Sequence, residues 1–140
     1  MKVLVAIDGS PSSLRAIEYV TGHAEIFGVK PLITLVTVHL PIPSARAKAW
    51  VGKEVIDAYY SEEADAVLAG ALAHLKQAGK AAEVLKLVGD PGHEIAEAGK
   101  NGFQMIVMGT HGRTALMNLV MGSVARRTLA ESDVPVLLVK

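Results

Sequence analysis

Apolar positions along the chain fall into two kinds of run. Short β-rich runs at Lys2 to Ile7, Pro31 to Val38, Ala82 to Val88, Phe103 to Met108 and Val134 to Val139 predict five strands. In the second, Leu32, Ile33, Leu35, Val36 and Val38 form a nearly continuous apolar stretch, the pattern of a strand covered on both faces. Helical spacing fills the intervals. Ser10 and Pro11 open a first helix as cap and first-turn residue, and Leu14, Ile17, Tyr19, Val20, Ala24 and Phe27 supply its apolar face up to Gly28. A long helix from Glu54 to Ala78 is rich in Ala, Leu, Glu and Lys, tolerates Gly70 at roughly 1 kcal/mol, and is closed by Gly79. Gly89-Asp90-Pro91-Gly92 opens a short helix through Ala98, with Asp90 as its N-cap, and Ser123 to Glu131 predicts the last helix. Leu40-Pro41-Ile42-Pro43-Ser44 reads as a kinked extended piece, and Ala45 to Lys53 as a loop leading into the long helix. Nothing between Leu40 and Lys53 identifies a contact; Trp50 there suits either a pocket cover or a dimer contact.

Strand and helix alternate throughout. Such alternation predicts a single α/β domain over residues 1–140: a doubly wound parallel sheet with right-handed crossovers and helices on both faces. The expected strand order is 3-2-1-4-5. A chain of this size buries about 68–70% of its unfolded surface, enough for a core without disulfides or metal staples. The absence of cysteine excludes a disulfide framework, a thiol nucleophile and cysteine-ligated metal. Acidic and basic residues balance at 14 each, and the basic ones are scattered apart from Arg126-Arg127, which argues against nucleic acid as a partner. Zero net charge does nothing to oppose self-association. The N-terminal apolar run ends at Asp8, too short for a signal core or a membrane span, so the expectation is a cytoplasmic protein without a targeting segment.

Ligands of open α/β sheets sit beyond the carboxyl ends of the strands, where strand order reverses. In order 3-2-1-4-5 the reversal falls between the strand ending at Asp8 and the strand leading into Gly109. The stretch after the latter reads Gly109-Thr110-His111-Gly112-Arg113, an apolar segment to Met121, then Gly122-Ser123-Val124. Gly109 and Gly112 let backbone approach a ligand and permit positive φ. Gly122-Ser123 opens the last helix, whose N-terminal amides and dipole attract anions. The Ser123 hydroxyl either caps that helix or meets a phosphate oxygen; Arg113 has the charge and reach to do the latter and reads equally as a solvated arginine. Asp8 reads equally as a turn residue bonding its own backbone. His111 reads as solvated or as a ligand contact rather than a general base. His39, His74 and His93 lack metal-site spacing, and Met105, Met108, Met117 and Met121 suit packing. Neither a G-x-x-x-x-G-K-[ST] loop nor a G-x-G-x-x-G fingerprint is present, which argues against an ordinary P-loop NTPase and an NAD dehydrogenase.

Gly109, Gly112, Gly122 and Ser123 follow the spacing glycine, two residues, glycine, nine residues, glycine, serine. With the N-terminal Val5-Ala6-Ile7-Asp8-Gly9-Ser10 and the closing Val134-Pro135-Val136-Leu137-Leu138-Val139, they make the chain resemble the nucleotide-binding branch of the universal stress proteins over essentially its whole length. The resemblance implies binding of ATP or a related adenine nucleotide. It implies Asp8 near ribose or adenine and the backbone of Ile7 and Val38 flanking the base, with Ala6 and Met108 in the same site. Gly109, His111, Gly112, Arg113, Gly122, Ser123 and Val124 are then expected around ribose and phosphates. It also implies a homodimer through Val134 to Val139.

Several functions remain open on the sequence. A nucleotide-binding regulatory module, with Mg²⁺ able to ride on the phosphates, fits best. A slow ATPase or self-phosphorylating protein needs a base, and Thr110, His111, Arg113 and Ser123 supply no convincing one. AMP or cyclic AMP would suit the same loop. A flavin site is a poor fit, because aromatic residues make up only 4% of the chain.

Overall fold

The computed structural model describes residues 1–43, 49–112 and 120–140. Among these, five strands form one sheet: β1 (Lys2–Ala6), β2 (Leu32–His39), β3 (Ala82–Val88), β4 (Met105–Gly109) and β5 (Val136–Val139). All pairs are parallel and the order is β3-β2-β1-β4-β5, as the alternation predicts. β1 lies between β2 and β4, with Val5 opposite Leu35 on one side and Val107 on the other. Val3, Leu4 and Val5 are fully buried, so β1 is apolar on both faces.

Helices α1 (Pro11–Gly22), α2 (Ala24–Phe27), α3 (Lys53–Gln77), α4 (Pro91–Gly99) and α5 (Ser123–Glu131) flank the sheet among the described residues. On one face α1, α2 and α3 pack Ile17, Val20, Phe27, Leu68, Ala71 and Leu75 against Val3, Val5, Leu35 and Val107. On the other, α4 and α5 pack Ile95, Ala98 and Ala125 against Leu4, Val36, Ile106 and Met108. In α3 only Ala64, Leu68, Ala71 and Leu75 are buried, a single stripe at steps of three and four.

The predicted caps of α1 and α4 form. Ser10 Oγ accepts from Ser13 N at 3.2 Å, and Asp90 Oδ1 accepts from His93 N at 3.1 Å. The first predicted helix is two helices, a correction to the continuous run up to Gly28. The chain breaks at His23 (φ −121°, ψ 68°), where Nδ1–H donates to the Tyr19 carbonyl at 2.9 Å and the ring stacks on Tyr19 with centroids 3.9 Å apart. A side chain that satisfies a helix-end carbonyl removes the incentive to continue the helix. β4 and β5 begin two residues later than the apolar pattern implies. Phe103 instead lies beneath Lys2 Nζ, 4.6 Å from the ring centroid, and Pro135 joins the sheet through its carbonyl alone, accepting from Ile106 N at 2.9 Å.

The α4–α5 contact needs small residues and charges. A Cβ on Gly92 would lie 2.6 Å from Arg127 Cβ and 3.1 Å from the Val124 carbonyl oxygen, so only glycine fits there. Thr128, fully buried, donates to the Gly92 carbonyl at 3.3 Å. Outside this contact, His93 Nδ1 meets Glu131 at 2.6 Å, and Arg127 meets Glu131 at 2.8 Å and Asp90 at 3.1 Å. The hydrogen bond to Glu131 raises the His93 pKa, and bonds from His93 and Arg127 lower that of Glu131.

The signs give a pH window. The raised His93 value makes its contribution full below the ordinary 6.5 and lost as pH rises through the folded value. The lowered Glu131 value makes its contribution full above the ordinary 4.5 and lost as pH falls through the folded value. The contact is therefore strongest between those two values. In thermal melts, the Tm gap between the unaltered protein and His93→Ala should narrow as pH rises from mildly acidic to mildly alkaline. A gap independent of pH would remove the ion pair from the account.

Candidate functional site

The reversal of strand order between β1 and β4 opens a crevice at the carboxyl rim of the sheet. A cavity of about 420 Å³ occupies it, within the range of small-ligand sites. Its floor is the ends of β1, β2 and β4; its walls are α3 on one side and the start of α5 with Pro91 and Ile95 on the other. Ala6, Ile7, Asp8, Val38, Met108, Gly109, His111, Gly112, Gly122, Ser123 and Val124 all line it. Arg113 lies outside the described residues.

Asp8 is the second residue beyond β1, and its two carboxylate oxygens have different surroundings. Oδ1 accepts from Ser10 N at 2.9 Å, the local turn bond, while Oδ2 faces the β4–α5 loop, 3.1 Å from where a Cβ on Gly112 would stand. Gly9 follows at φ +81°, so the turn itself needs glycine. The turn reading and the site reading of Asp8 are therefore compatible.

The loop glycines act by closeness of approach. None of Gly109, Gly112 and Gly122 has positive φ, which corrects that half of the expectation for Gly109 and Gly112 and leaves close approach as their use. A Cβ at Gly109 would meet Ser12 of α1, 2.7 Å from its backbone carbon. At Gly122 it would stand 3.3 Å from the Thr110 carbonyl oxygen and 3.5 Å from Gly112 N. The start of α5 is thus held against the loop after β4, and Gly122 N donates to the Thr110 carbonyl at 2.6 Å. The far side of the loop is tied to β5, Thr110 N donating to the Val139 carbonyl at 3.0 Å.

Gly122, not Ser123, is the N-cap of α5 and no side chain caps it, a correction to the capping role expected of Ser123. Ser123 is the first helical residue; among the described residues its hydroxyl has no hydrogen-bond partner, and the residue is exposed. The amides of Ser123, Val124 and Ala125 have no acceptor within the helix, and all three residues line the cavity. A helix N-terminus with open amides is an anion site by its own dipole. Arg126 adds a cation to the same wall. Thr110 Oγ1 and His111 Nδ1 are 2.9 Å apart, so that hydroxyl and ring nitrogen already pair with one another.

Thr37, His39, Leu40, Glu63, Ala64, Val67, Pro91, Ile95 and Arg126 also line the cavity, and the sequence reading assigned none of them to it. Glu63, Ala64 and Val67 recur at helical spacing, but periodicity does not say which turn of a 25-residue helix crosses the sheet rim. Trp50 does not line the cavity and is 88% exposed.

A family model described as "Universal stress protein family" matches residues 1–140. Universal stress protein MJ0531 of Methanocaldococcus jannaschii is 32% identical over 141 residues, spanning 99% of this chain and 81% of that one. The solved structure of MJ0577, a universal stress protein of the same organism, superposes with a TM-score of 0.83 at 25% identity, covering 99% of this chain and 94% of the other. A universal stress protein solved in complex with cAMP superposes at 0.72 with 24% identity, over 100% and 97%.

Gly122→Val tests the joint between loop and helix. Its side chain would press on backbone atoms of Thr110, His111 and Gly112 rather than on a flexible neighbour. The expected cost is about 1–3 kcal/mol of stability, with the far-UV circular dichroism of the sheet and helices retained. A Tm equal to that of the unaltered protein would show that the joint is looser than its distances imply.

Proposed function

The chain belongs to the universal stress protein family, and we propose that it binds an adenine nucleotide, ATP in the first instance, in the cavity between β1 and β4. The observation that carries this reading is the uncapped α5 N-terminus, open to a cavity floored by the ends of β1, β2 and β4. Phosphate oxygens are the natural acceptors for the amides of Ser123, Val124 and Ala125, with the Ser123 hydroxyl and Arg126 beside them. Asp8 Oδ2 is an acceptor for ribose hydroxyls, and the β1 and β2 ends at Ile7 and Val38 flank the base. The structural neighbour in complex with cAMP supports a nucleotide of this class.

Any Mg²⁺ would come with the phosphates, since among the described residues no three His, Asp or Glu side chains are grouped to hold an ion. We favour binding over turnover: phosphoryl transfer needs a nucleophile and base set at the transferring phosphate, and the Thr110–His111 pair, 2.9 Å apart, is the candidate that the described cavity offers for those roles. We read the protein as a regulatory module in which nucleotide occupancy is the signal, soluble and cytoplasmic, and assembled as a homodimer. The dimer reading rests on β5, an edge strand whose outer side is unpaired among the described residues and whose four residues are all partly exposed.

Mass spectrometry of nucleotide released on denaturing the purified protein, followed by calorimetry with ATP, AMP and cyclic AMP, tests the ligand. Co-purified ATP or a preference for it supports the triphosphate; no nucleotide and no heat of binding would refute the proposal. Within it, Asp8→Ala should weaken ATP by about tenfold or more, the scale of a lost hydrogen bond to a charged group, while His111→Ala has a smaller effect. The reverse order would show that ribose and base are misassigned.

The assembly reading has its own test. Val136→Lys should give a folded monomer on sizing if β5 is the contact. A dimer that survives the change moves the interface elsewhere.

A further inference from the structure

The base end of the cavity is walled by residues of β2 and α3. With phosphates on the α5 N-terminus, the remaining length of a nucleotide runs across β1 toward the end of β2 and the flank of α3. Three polar residues line the cavity there, Thr37 and His39 on β2 and Glu63 on α3; of these only Glu63 is a carboxylate. Resting on the nucleotide reading above, we propose that Glu63 selects the base by accepting a hydrogen bond from the exocyclic amine at the purine 6-position.

Three observations support this. First, Glu63 has no ion-pair or hydrogen-bond partner among the described residues, although it is only partly exposed. The acid two residues further on, Asp65, is bound to Lys86 at 2.7 Å, on the side of α3 that faces β3. A carboxylate offers acceptors alone, so a ligand edge opposite it must bring donors.

Second, the neighbouring wall is braced. The His39 ring stands edge-on between Tyr59 and Tyr60, with centroids at 5.6 and 5.1 Å. Its Nδ1–H donates to the Leu40 carbonyl at 2.6 Å, and Ile42 N donates to the Tyr60 hydroxyl at 2.8 Å. The strand end after Val38 is therefore fastened to α3 close to Glu63. A ring held in this way limits where a planar base can lie, which an amine contact needs in order to discriminate.

Third, the aromatic placement is uneven. The chain has three tyrosines, and two of them are the pair that brace His39. Tyr19 packs in the core beneath the other end of the sheet, against Phe27.

The test compares ATP with purine riboside triphosphate, which has hydrogen in place of the 6-amine, by calorimetry. The unaltered protein should bind ATP about tenfold or more tightly than the analogue, the scale of a hydrogen bond to a charged acceptor. Glu63→Ala should abolish that preference by weakening ATP while leaving the analogue unchanged. Glu63→Gln, whose amide can also donate, should raise the affinity for inosine triphosphate relative to ATP. His39→Val should weaken ATP and the analogue alike, because packing on a ring does not read the amine. Retained binding of both nucleotides with the ATP preference intact in Glu63→Ala would overturn this inference alone. No binding of either nucleotide to the unaltered protein would overturn the nucleotide reading and this inference with it.

Discussion

The parallel pairing of β1 with β2 on one side and β4 on the other is the constraint from which the rest follows. Val3, Leu4 and Val5 have no exposed face, so helices must cover both sides of β1. A right-handed crossover from β1 to β2 places α1 on one face, and the crossover from β4 to β5 places α5 on the other. The chain after β1 and the chain after β4 thus leave the sheet in opposite directions. The gap between them is a consequence of chain direction, and no cavity-forming residue has to be invoked to open it. What the residues decide is how narrow the gap is. Gly109 lets Ser12 of α1 lie against the end of β4, and Gly122 lets the start of α5 lie against the loop after it. Larger side chains at either position would widen the crevice from both sides.

This explains why the sheet and the crevice were legible in the sequence. Central parallel strands carry continuous apolar runs bounded by turn residues, so the strand count follows, and the order expected of a doubly wound sheet then places the switch point. Side-chain caps were legible for the same reason: Ser10 and Asp90 each place a short acceptor three residues before an amide in need of one. The misreadings share a different cause. Ser123 has the right residue type, but cap position depends on where the helix begins, and Gly122 already holds that place through a backbone bond to Thr110. The break at His23 depends on a ring reaching back four residues to a carbonyl, a contact that an apolar pattern does not register. For the loop glycines the sequence supports both close approach and freedom of φ, and the neighbours across the gap show that the first alone is used.

The candidate site divides along the same line. On the proposed reading its phosphate half is the start of α5 and the loop after β4, so the marks it leaves in sequence are glycines and a helix start. Its other half, the base half on that reading, is lined by β2 and α3, with 24 residues of separation between His39 and Glu63. No local pattern ties a histidine at a strand end to a glutamate in mid-helix. Tyr59 and Tyr60, in turns of α3 that bury no side chain, likewise look like surface residues until the His39 ring is set between them.

The uncapped start of α5 connects stability to function. A capping side chain contributes about 1 kcal/mol, and α1 and α4 both have one. At α5 the equivalent amides face the cavity instead, so the helix forgoes that stabilisation unless something in the cavity accepts from them. A ligand that does so binds only the folded chain and raises its stability by mass action. It also acts on a helix whose other partners are α4, through Gly92, Thr128 and the His93–Glu131–Arg127 contact, and β5, through the Thr110–Val139 bond at the loop before it. The phosphate end of the site and the outer edge of the sheet are therefore joined by one short stretch of backbone. The amide of Thr110 is bonded to β5 and its carbonyl to the start of α5, so this one residue fixes the distance between the two.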